Sequence, residues 1–201
     1  MTEPSYRRLQ VDERRQRLLE LGGRLFTRTS YDKLSMAAIA REAGISKALL
    51  YHYFPSKSAY FRATVTAEAE RLAALTEPDP DLPPIEALTA SLDAYLGWIE
   101  ENDESFVKLM ESATGSSEVR DLVDQVRDAT GARLLEAIAP DGPTPEVRTA
   151  VAGWIRFMDG ACVDWLAHRD MERETVRNLL LGTLAGTLMA AGADLASLTS
   201  S

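Results

Sequence analysis

Cysteine, long apolar runs and secretory signals are scarce in this sequence, and each scarcity excludes a class of protein. The 201 residues include one cysteine, Cys162, so no internal disulfide forms and no oxidising compartment is needed. The longest apolar stretch, residues 179–193, is shorter than the roughly 20 residues that span a bilayer. Residues 1–15 lack the apolar core of a signal peptide. We therefore expect a soluble cytoplasmic protein with no membrane partner.

Patterns of catalytic and metal-binding residues are equally sparse. Two histidines, His52 and His168, and one cysteine give neither a Cys/His spacing for a metal nor a Ser/His/Asp set that the sequence justifies. No Walker A or GxGxxG loop occurs. The carboxylates of residues 100–104 could act as a pair, but a charge run at a helix junction is usually a solvated face. We predict no enzymatic activity, no cofactor and no metal.

The residues that are present favour an all-α fold. Glycine and proline fall between apolar repeats, while Val, Ile and Thr do not form alternating runs. Residues 76–84 hold four prolines and three acidic residues and predict a connector. Apolar spacings and capping residues predict helices at about residues 11–29, 36–43, 47–53, 57–75, 85–102, 104–113, 118–139, 146–169 and 173–191.

Charge is distributed unevenly along the chain. Residues 1–62 hold 12 Lys and Arg against six Asp and Glu, although the whole chain has a formal net charge of −9. A basic N-terminal part and an acidic remainder suggest that the first part meets a polyanion. When the charge distribution is considered by itself, the alternative is that solvated surface charges are clustered by chance.

Residues 36–53 have the length and turn chemistry of a helix-turn-helix. Ala43-Gly44-Ile45 joins two short helices, Gly44 tolerates the positive φ of a tight turn, and Ser46 is a good N-cap. An ordinary helical hairpin would hide the large side chains of the second helix. In residues 47–53, however, the large side chains are too many to lie on one inward face together with Leu50 and Phe54. The pattern therefore predicts a recognition helix for the DNA major groove.

The predicted DNA contacts divide into two groups. Hydroxyl, imidazole and ammonium donors near helix starts suit phosphate oxygens, and we predict this role for Ser35, Ser46, Tyr51, His52, Tyr53 and Lys57. The first turn of the second helix would read base edges through Lys47, Ala48 and Leu49. The two apolar residues suggest a preference for thymine methyl groups.

Residues 18–61 resemble the DNA-binding domain of the TetR family of transcriptional regulators. The matching positions are Ile39-Ala40, Ala43-Gly44-Ile45-Ser46, Leu50-Tyr51, Tyr53-Phe54 and Lys57, without a gap. The resemblance implies a three-helix helix-turn-helix domain, residues 1–62, followed by a helical ligand-sensing and dimerisation domain, residues 63–201. Ser30 replaces a usual glycine, and a left-handed conformation there would cost it roughly 1–2 kcal/mol. Ala48 and Leu49 also depart from the family pattern.

The acidic remainder carries aromatic and methionine residues suited to a pocket for varied apolar ligands. The predicted lining residues are Tyr95, Trp98, Phe106, Met110, Trp154 and Met158. The alternative is that each of them belongs to the core.

Small residues recur at helical spacing near the C-terminal end. Gly153 and Gly160 are two turns apart, Gly182 and Gly186 one turn apart, and Leu179 adds apolar area. We predict that these five residues form the interface of a homodimer, as the family resemblance also implies. The alternative is that the glycines mark helix packing within one chain.

These observations combine into a functional hypothesis. The chain is predicted to be a ligand-responsive regulator that binds a palindromic double-stranded operator, most simply a repressor released by a small, largely apolar effector. A protein-interaction module, or a ligand-dependent activator, is the alternative.

Overall fold

The computed structural model describes the backbone of residues 3–193 and the side chains of residues 11–26 and 28–193. Every regular element in this range is helical, which confirms the predicted all-α fold. The helices are α1 (Glu3–Arg28), α2 (Met36–Glu42), α3 (Lys47–Tyr53), α4 (Lys57–Leu75), α5 (Pro84–Glu101), α6 (Asp103–Gly115), α7 (Ser117–Ile138), α8 (Pro145–His168) and α9 (Arg173–Ala190).

Three local features differ from the sequence expectations. Helix α1 begins eight residues before the predicted start at Val11, because its first turns are polar and apolar spacing does not mark them. A 3-10 helix, Tyr31–Lys33, follows α1 and was not predicted. Ser30 has φ −60° and ψ 153°, so the left-handed strain considered for this position does not arise.

The first compact unit combines residues up to Glu70 with Glu104–Leu122. Its N-terminal core holds inward side chains of the first four helices and of their connections, namely Leu18, Leu19, Leu34, Met36, Ile39, Ala40, Leu50, Phe54 and Tyr60. Phe106 on α6 and Val119 on α7 are also buried. The predicted domain division separates two consecutive segments, residues 1–62 and 63–201, and it stays a prediction.

A close approach of α1 to α4 organises this unit. A Cβ atom built on Gly22 would lie 2.8 Å from the Tyr60 hydroxyl oxygen. That hydroxyl donates a buried hydrogen bond of 2.6 Å to the carbonyl of Leu18. Gly22 therefore permits the contact.

The second compact unit contains residues 71–103 and the described residues from 123 onward. Helices α8 and α9 follow each other after a short turn, and the Trp154 indole on α8 donates to the carbonyl of Leu180 on α9 at 3.0 Å. Three arginines at four-residue spacing fasten this hairpin to α5 and to Asp103, the first residue of α6. They form the pairs Arg177–Asp93 at 2.8 Å, Arg173–Glu100 at 3.2 Å and Arg169–Asp103 at 2.5 Å. Since the arginine numbers rise as the carboxylate numbers fall, α5 and α9 run antiparallel.

Candidate DNA-binding interface

Helices α2 and α3 meet in a tight turn of the predicted geometry. Gly44 has φ +65°, and the amide of Ile45 donates to the carbonyl of Ala40 at 3.0 Å. This pairing closes a Schellman motif, in which a residue of positive φ ends the helix. Only glycine takes this φ without a steric cost, apart from modest tolerance in Asn and Asp. The turn inferred from the sequence is confirmed.

Serine N-caps start both helices. The Ser35 hydroxyl accepts the amide of Ala38 at 3.2 Å, and the Ser46 hydroxyl accepts the amide of Leu49 at 3.1 Å. A capping hydroxyl still carries its own proton, so each serine retains a donor. The two helix starts therefore combine amide groups with hydroxyl donors, the chemistry that a phosphate oxygen binds.

Helix α3 has one anchored face and one exposed face. Leu50 is fully buried and Phe54, just past the helix, is 2% exposed. Leu49 and Tyr53 are half-buried. The predicted contact residues Lys47, Ala48, Tyr51 and His52 are exposed. This division contradicts the buried-hairpin alternative, because the donor-rich side chains face solvent.

The exposed face holds its donors near one another. The Lys47 ammonium lies 5.7 Å from the ring centroid of Tyr51, one turn further along α3. The rings of His52 and Tyr53 are 5.6 Å apart. Cation–π contacts at exposed sites are weak, on the order of 0.5–1 kcal/mol, so Lys47 remains able to reorient toward a base. We use the name reading head for α2, α3 and the first turn of α4.

Lys57 has a partner that the sequence did not indicate. Its ammonium donates to the carbonyl oxygen of Tyr31 at 3.1 Å and lies 4.3 Å from the centroid of the Tyr31 ring. The Tyr31 hydroxyl in turn donates to Glu118 Oε2 at 2.8 Å. Burial and this hydrogen bond raise the pKa of Tyr31 to about 12, so the phenol remains a donor at neutral pH. No local sequence pattern marks these contacts, since Glu118 is 87 residues away.

The residues predicted to bind an effector lie in different places. Tyr95 and Trp98 are on α5 and Trp154 and Met158 on α8, all in the second unit, whereas Phe106 and Met110 are on α6 in the first. Trp154, Met158 and Phe106 are at most 6% exposed. Their burial is what the core alternative expects, and their role in ligand binding stays a prediction.

A polar cluster inside the second unit escaped the sequence analysis. Arg127 on α7 pairs with Asp159 on α8 at 2.7 Å and with Asp124 at 2.9 Å. Burial raises the pKa of Asp159, against the opposing effect of Arg127. Burial also raises the pKa of Cys162 to about 12 and the pKa of Tyr95 well above its usual value, and these two side chains are hydrogen-bonded to each other. The thiol is therefore protonated and unreactive at neutral pH.

The predicted dimer glycines all face open space. A Cβ atom built on Gly153, Gly160, Gly182 or Gly186 would meet no other described atom within 4 Å. This finding contradicts the alternative that they pack helices within one chain. Leu179 is 44% exposed. Two large side chains that the sequence did not single out are exposed on the same two helices, Phe157 at 42% and Met189 at 68%.

The described residues contain neither a candidate metal site nor a candidate membrane span. No group of three or more His, Cys, Asp or Glu side chains in this part of the chain is arranged to hold a metal ion. Within the same range, no helix combines the length and the apolarity required to cross a membrane.

The turn, the caps and the exposed face of α3 define a helix-turn-helix DNA-binding protein. Residues 18–64 match the family model for bacterial regulatory proteins of the tetR family, and residues 84–186 match that for the tetracyclin repressor-like C-terminal domain. The chain belongs to the TetR family of transcriptional regulators. The expectation that it is a regulator and not an enzyme agrees with that membership.

Individual relatives are HTH-type transcriptional regulators. An uncharacterized HTH-type transcriptional regulator of Mycobacterium tuberculosis, Rv1255c, is 31% identical over 139 residues, or 67% of each chain. The repressor KstR of Rhodococcus jostii is 25% identical over 84% of this chain and 80% of its own. The activator FasR of Mycolicibacterium smegmatis is 30% identical over 52% of this chain and 49% of its own.

A solved structure extends the likeness to three dimensions. The crystal structure of a tetR-family transcriptional regulator from Streptomyces coelicolor superimposes with a TM-score of 0.76 at 30% identity. The match covers 90% of this chain and 82% of that one. The N-terminal helix-turn-helix followed by a helical C-terminal part is therefore the fold of this family.

Proposed function

We propose that this regulator is a homodimeric repressor which binds a palindromic operator and which a small, largely apolar effector releases. The observation that carries the proposal is the exposed face of α3, which presents Lys47, Tyr51 and His52 to solvent while Leu50 anchors the helix. A helix held in this way fits a major groove, where base edges are distinguishable.

Each predicted contact takes a specific role in the proposal. Lys47 donates to guanine acceptors, and the methyl groups of Ala48 and the exposed part of Leu49 contact thymine. Phosphate oxygens bind the side chains at the helix starts and along the outer face, namely Ser35, Ser46, Tyr51, His52, Tyr53 and Lys57. Phosphate contacts set the register and add affinity, while base contacts give the sequence preference.

The open glycine face of α8 and α9 supports the proposed dimer. Gly153, Gly160, Gly182 and Gly186 let a second copy approach closely, and Leu179, Phe157 and Met189 supply exposed apolar area beside them. A two-fold dimer presents two α3 helices to successive major grooves, about 34 Å apart. One recognition helix alone buries too little surface for tight and specific binding.

The effector part of the proposal rests on the aromatic and methionine residues of the C-terminal part. An apolar molecule would contact Tyr95, Trp98, Trp154 and Met158, which all belong to the second unit. Such a molecule lowers DNA affinity only to the extent that it prefers a conformer that cannot bind DNA over the conformer that can. The repressor KstR supports repression, and the activator FasR is the reason why activation stays an outcome of the test.

The test begins with selection of duplexes by the purified full chain from a random pool, followed by titration of the selected duplex. Lys57→Ala should weaken all duplexes similarly and lower the salt slope by about one unit, whereas Lys47→Ala should also change the preferred sequence. Arg148→Ala, an exposed charge on α8, is the matched control and should change neither. Binding that is absent, or independent of salt in all three proteins, would favour the protein-interaction module instead.

Transcription from a reporter that carries the selected duplex then separates repression from activation. A repressor lowers reporter output when the protein is present, and an activator raises it. A cell extract that restores reporter output contains the effector and indicates its class. Light scattering of the purified full chain measures its oligomeric state. A monomer at micromolar concentration would contradict the dimer.

A further inference from the structure

The corner between α6 and α7 belongs to the same compact unit as the reading head, although it follows it by some 50 residues in the chain. Arg120, on the first turn of α7, donates to the carbonyls of Ala113 and Thr114 at the end of α6, each at 3.2 Å. Val119 next to it is fully buried. These contacts fix the two helices to each other and therefore fix the position of Glu118.

Glu118 holds the phenol of Tyr31. The hydroxyl of Tyr31 donates to Glu118 Oε2 at 2.8 Å, a charge-assisted hydrogen bond of ordinary length. The Tyr31 ring also packs on Phe61, with centroids 4.7 Å apart, and Phe61 packs edge-on against Phe26 at the same distance. The ring is therefore held by Phe61 of α4, which itself packs against Phe26 of α1, and by α7 at its hydroxyl.

Tyr31 in turn holds Lys57. One of the three ammonium protons of Lys57 is donated to the Tyr31 carbonyl, and the charge lies over the Tyr31 ring. Both contacts depend on where Tyr31 sits in its 3-10 helix. Because Lys57 is the first residue of α4, directly after the turn that follows α3, its ammonium stands at the edge of the reading head.

We propose that the α6–α7 corner sets the DNA affinity of the reading head, with Glu118 and Tyr31 as positioning residues that keep the Lys57 ammonium where an operator phosphate meets it. The proposal rests on the DNA-binding role given above. It makes the segment from residue 104 to residue 122 a control point, since any shift of Glu118 changes the support of Lys57.

The test measures the affinity of the full chain for the selected duplex at several salt concentrations. Tyr31→Phe removes only the hydroxyl and leaves the ring and the carbonyl at Lys57. It should weaken binding about fivefold, at the low end of coupling between sites, and reduce the salt slope toward that of Lys57→Ala. Glu118→Ala should do the same, and Glu118→Gln should restore most of the affinity because its amide oxygen accepts the same hydrogen bond.

A double-mutant cycle separates positioning from general destabilisation. In the Lys57→Ala background, Tyr31→Phe should have no further effect on affinity, because its only route to DNA is then absent. Asp121→Ala removes an exposed carboxylate from the next residues of α7 and is the control for Glu118→Ala. Thermal unfolding of each variant shows whether it is folded at the assay temperature.

Two results would overturn the inference. One is a Tyr31→Phe protein that binds DNA as the parent does, with or without a lower melting temperature. The other is an equal loss from Tyr31→Phe in the parent and in the Lys57→Ala background. If the parent itself selects no duplex, the proposed function fails and this inference fails with it, so the two failures are distinguishable.

Discussion

Substitution of Gly22 by alanine tests the contact between α1 and α4 that supports the end of the recognition helix. The Tyr60 ring, which lies over Gly22, packs edge-on against Phe54 with centroids 4.9 Å apart. Phe54 is the residue that caps α3. A substitution at Gly22 therefore affects the reading head, although Gly22 lies on α1 and outside the reading head.

The magnitude follows from two opposing terms. Alanine is favoured over glycine by about 1 kcal/mol in a helix interior. Against this, the new methyl group would lie 2.8 Å from the Tyr60 hydroxyl oxygen and 2.9 Å from a Thr64 methyl carbon, both side chains being buried. Overpacking of this kind costs about 1–3 kcal/mol, and loss of the Tyr60–Leu18 hydrogen bond about 1–3 kcal/mol more. We expect a net loss of roughly 2 kcal/mol.

Thermal unfolding followed by circular dichroism measures this loss. A change of roughly 2 kcal/mol lowers the melting temperature by about 4–8 °C in a chain of this size. Gly115→Ala is the control, because no other described atom lies within 4 Å of its Cβ position, and it should change stability by less than about 0.5 kcal/mol. A Gly22→Ala protein as stable as the parent would show that α1 and α4 are not in the close contact described.

Three further predictions concern the caps, the tyrosines and the α9 surface. Ser46→Ala leaves the Leu49 amide without its cap and should cost about 1 kcal/mol in chemical denaturation, with weaker DNA binding. The pKa values of Tyr31, Tyr60 and Tyr95 are raised in the folded protein, so these phenols stay protonated above pH 10, where tyrosines of the unfolded chain lose their protons. The free energy of unfolding should therefore fall as the pH rises above about 10. Spectrophotometric titration should show that the three tyrosines ionise at higher pH than usual and that denaturant abolishes this delay. Gly182→Arg should convert the proposed dimer to a monomer in light scattering without lowering helix content, and an unchanged mass would place the interface elsewhere.

The parts of the fold that the sequence predicted are those encoded within one or two helical turns. The Gly44 turn and the Ser46 cap depend on residues at most five positions apart, and their chemistry is specific to residue type. The polar first turns of α1 carry no such marker, which explains the wrong start.

The contacts that escaped prediction join residues far apart in sequence. Tyr31 meets Glu118 across 87 positions, and Arg127 meets Asp159 across 32. Both pairs depend on the path of the folded chain. The sequence alone does not distinguish Glu118 or Asp159 from the other carboxylates as a partner. Charged side chains usually read as solvated surface, so the half-buried Arg127 and the buried Asp159 were indistinguishable from the rest.

The same pairing explains how a chain of net charge −9 binds a polyanion. In the second unit, guanidinium groups are matched by carboxylates, as in Arg177–Asp93, Arg173–Glu100 and the cluster around Arg127. Cations paired in this way contribute little field at a distance, and the excess carboxylates there repel phosphate. On α3, by contrast, the Lys47 ammonium contacts only a neutral tyrosine ring among the contacts described for it. The distribution of charge therefore favours one face for DNA, and net charge does not decide the partner.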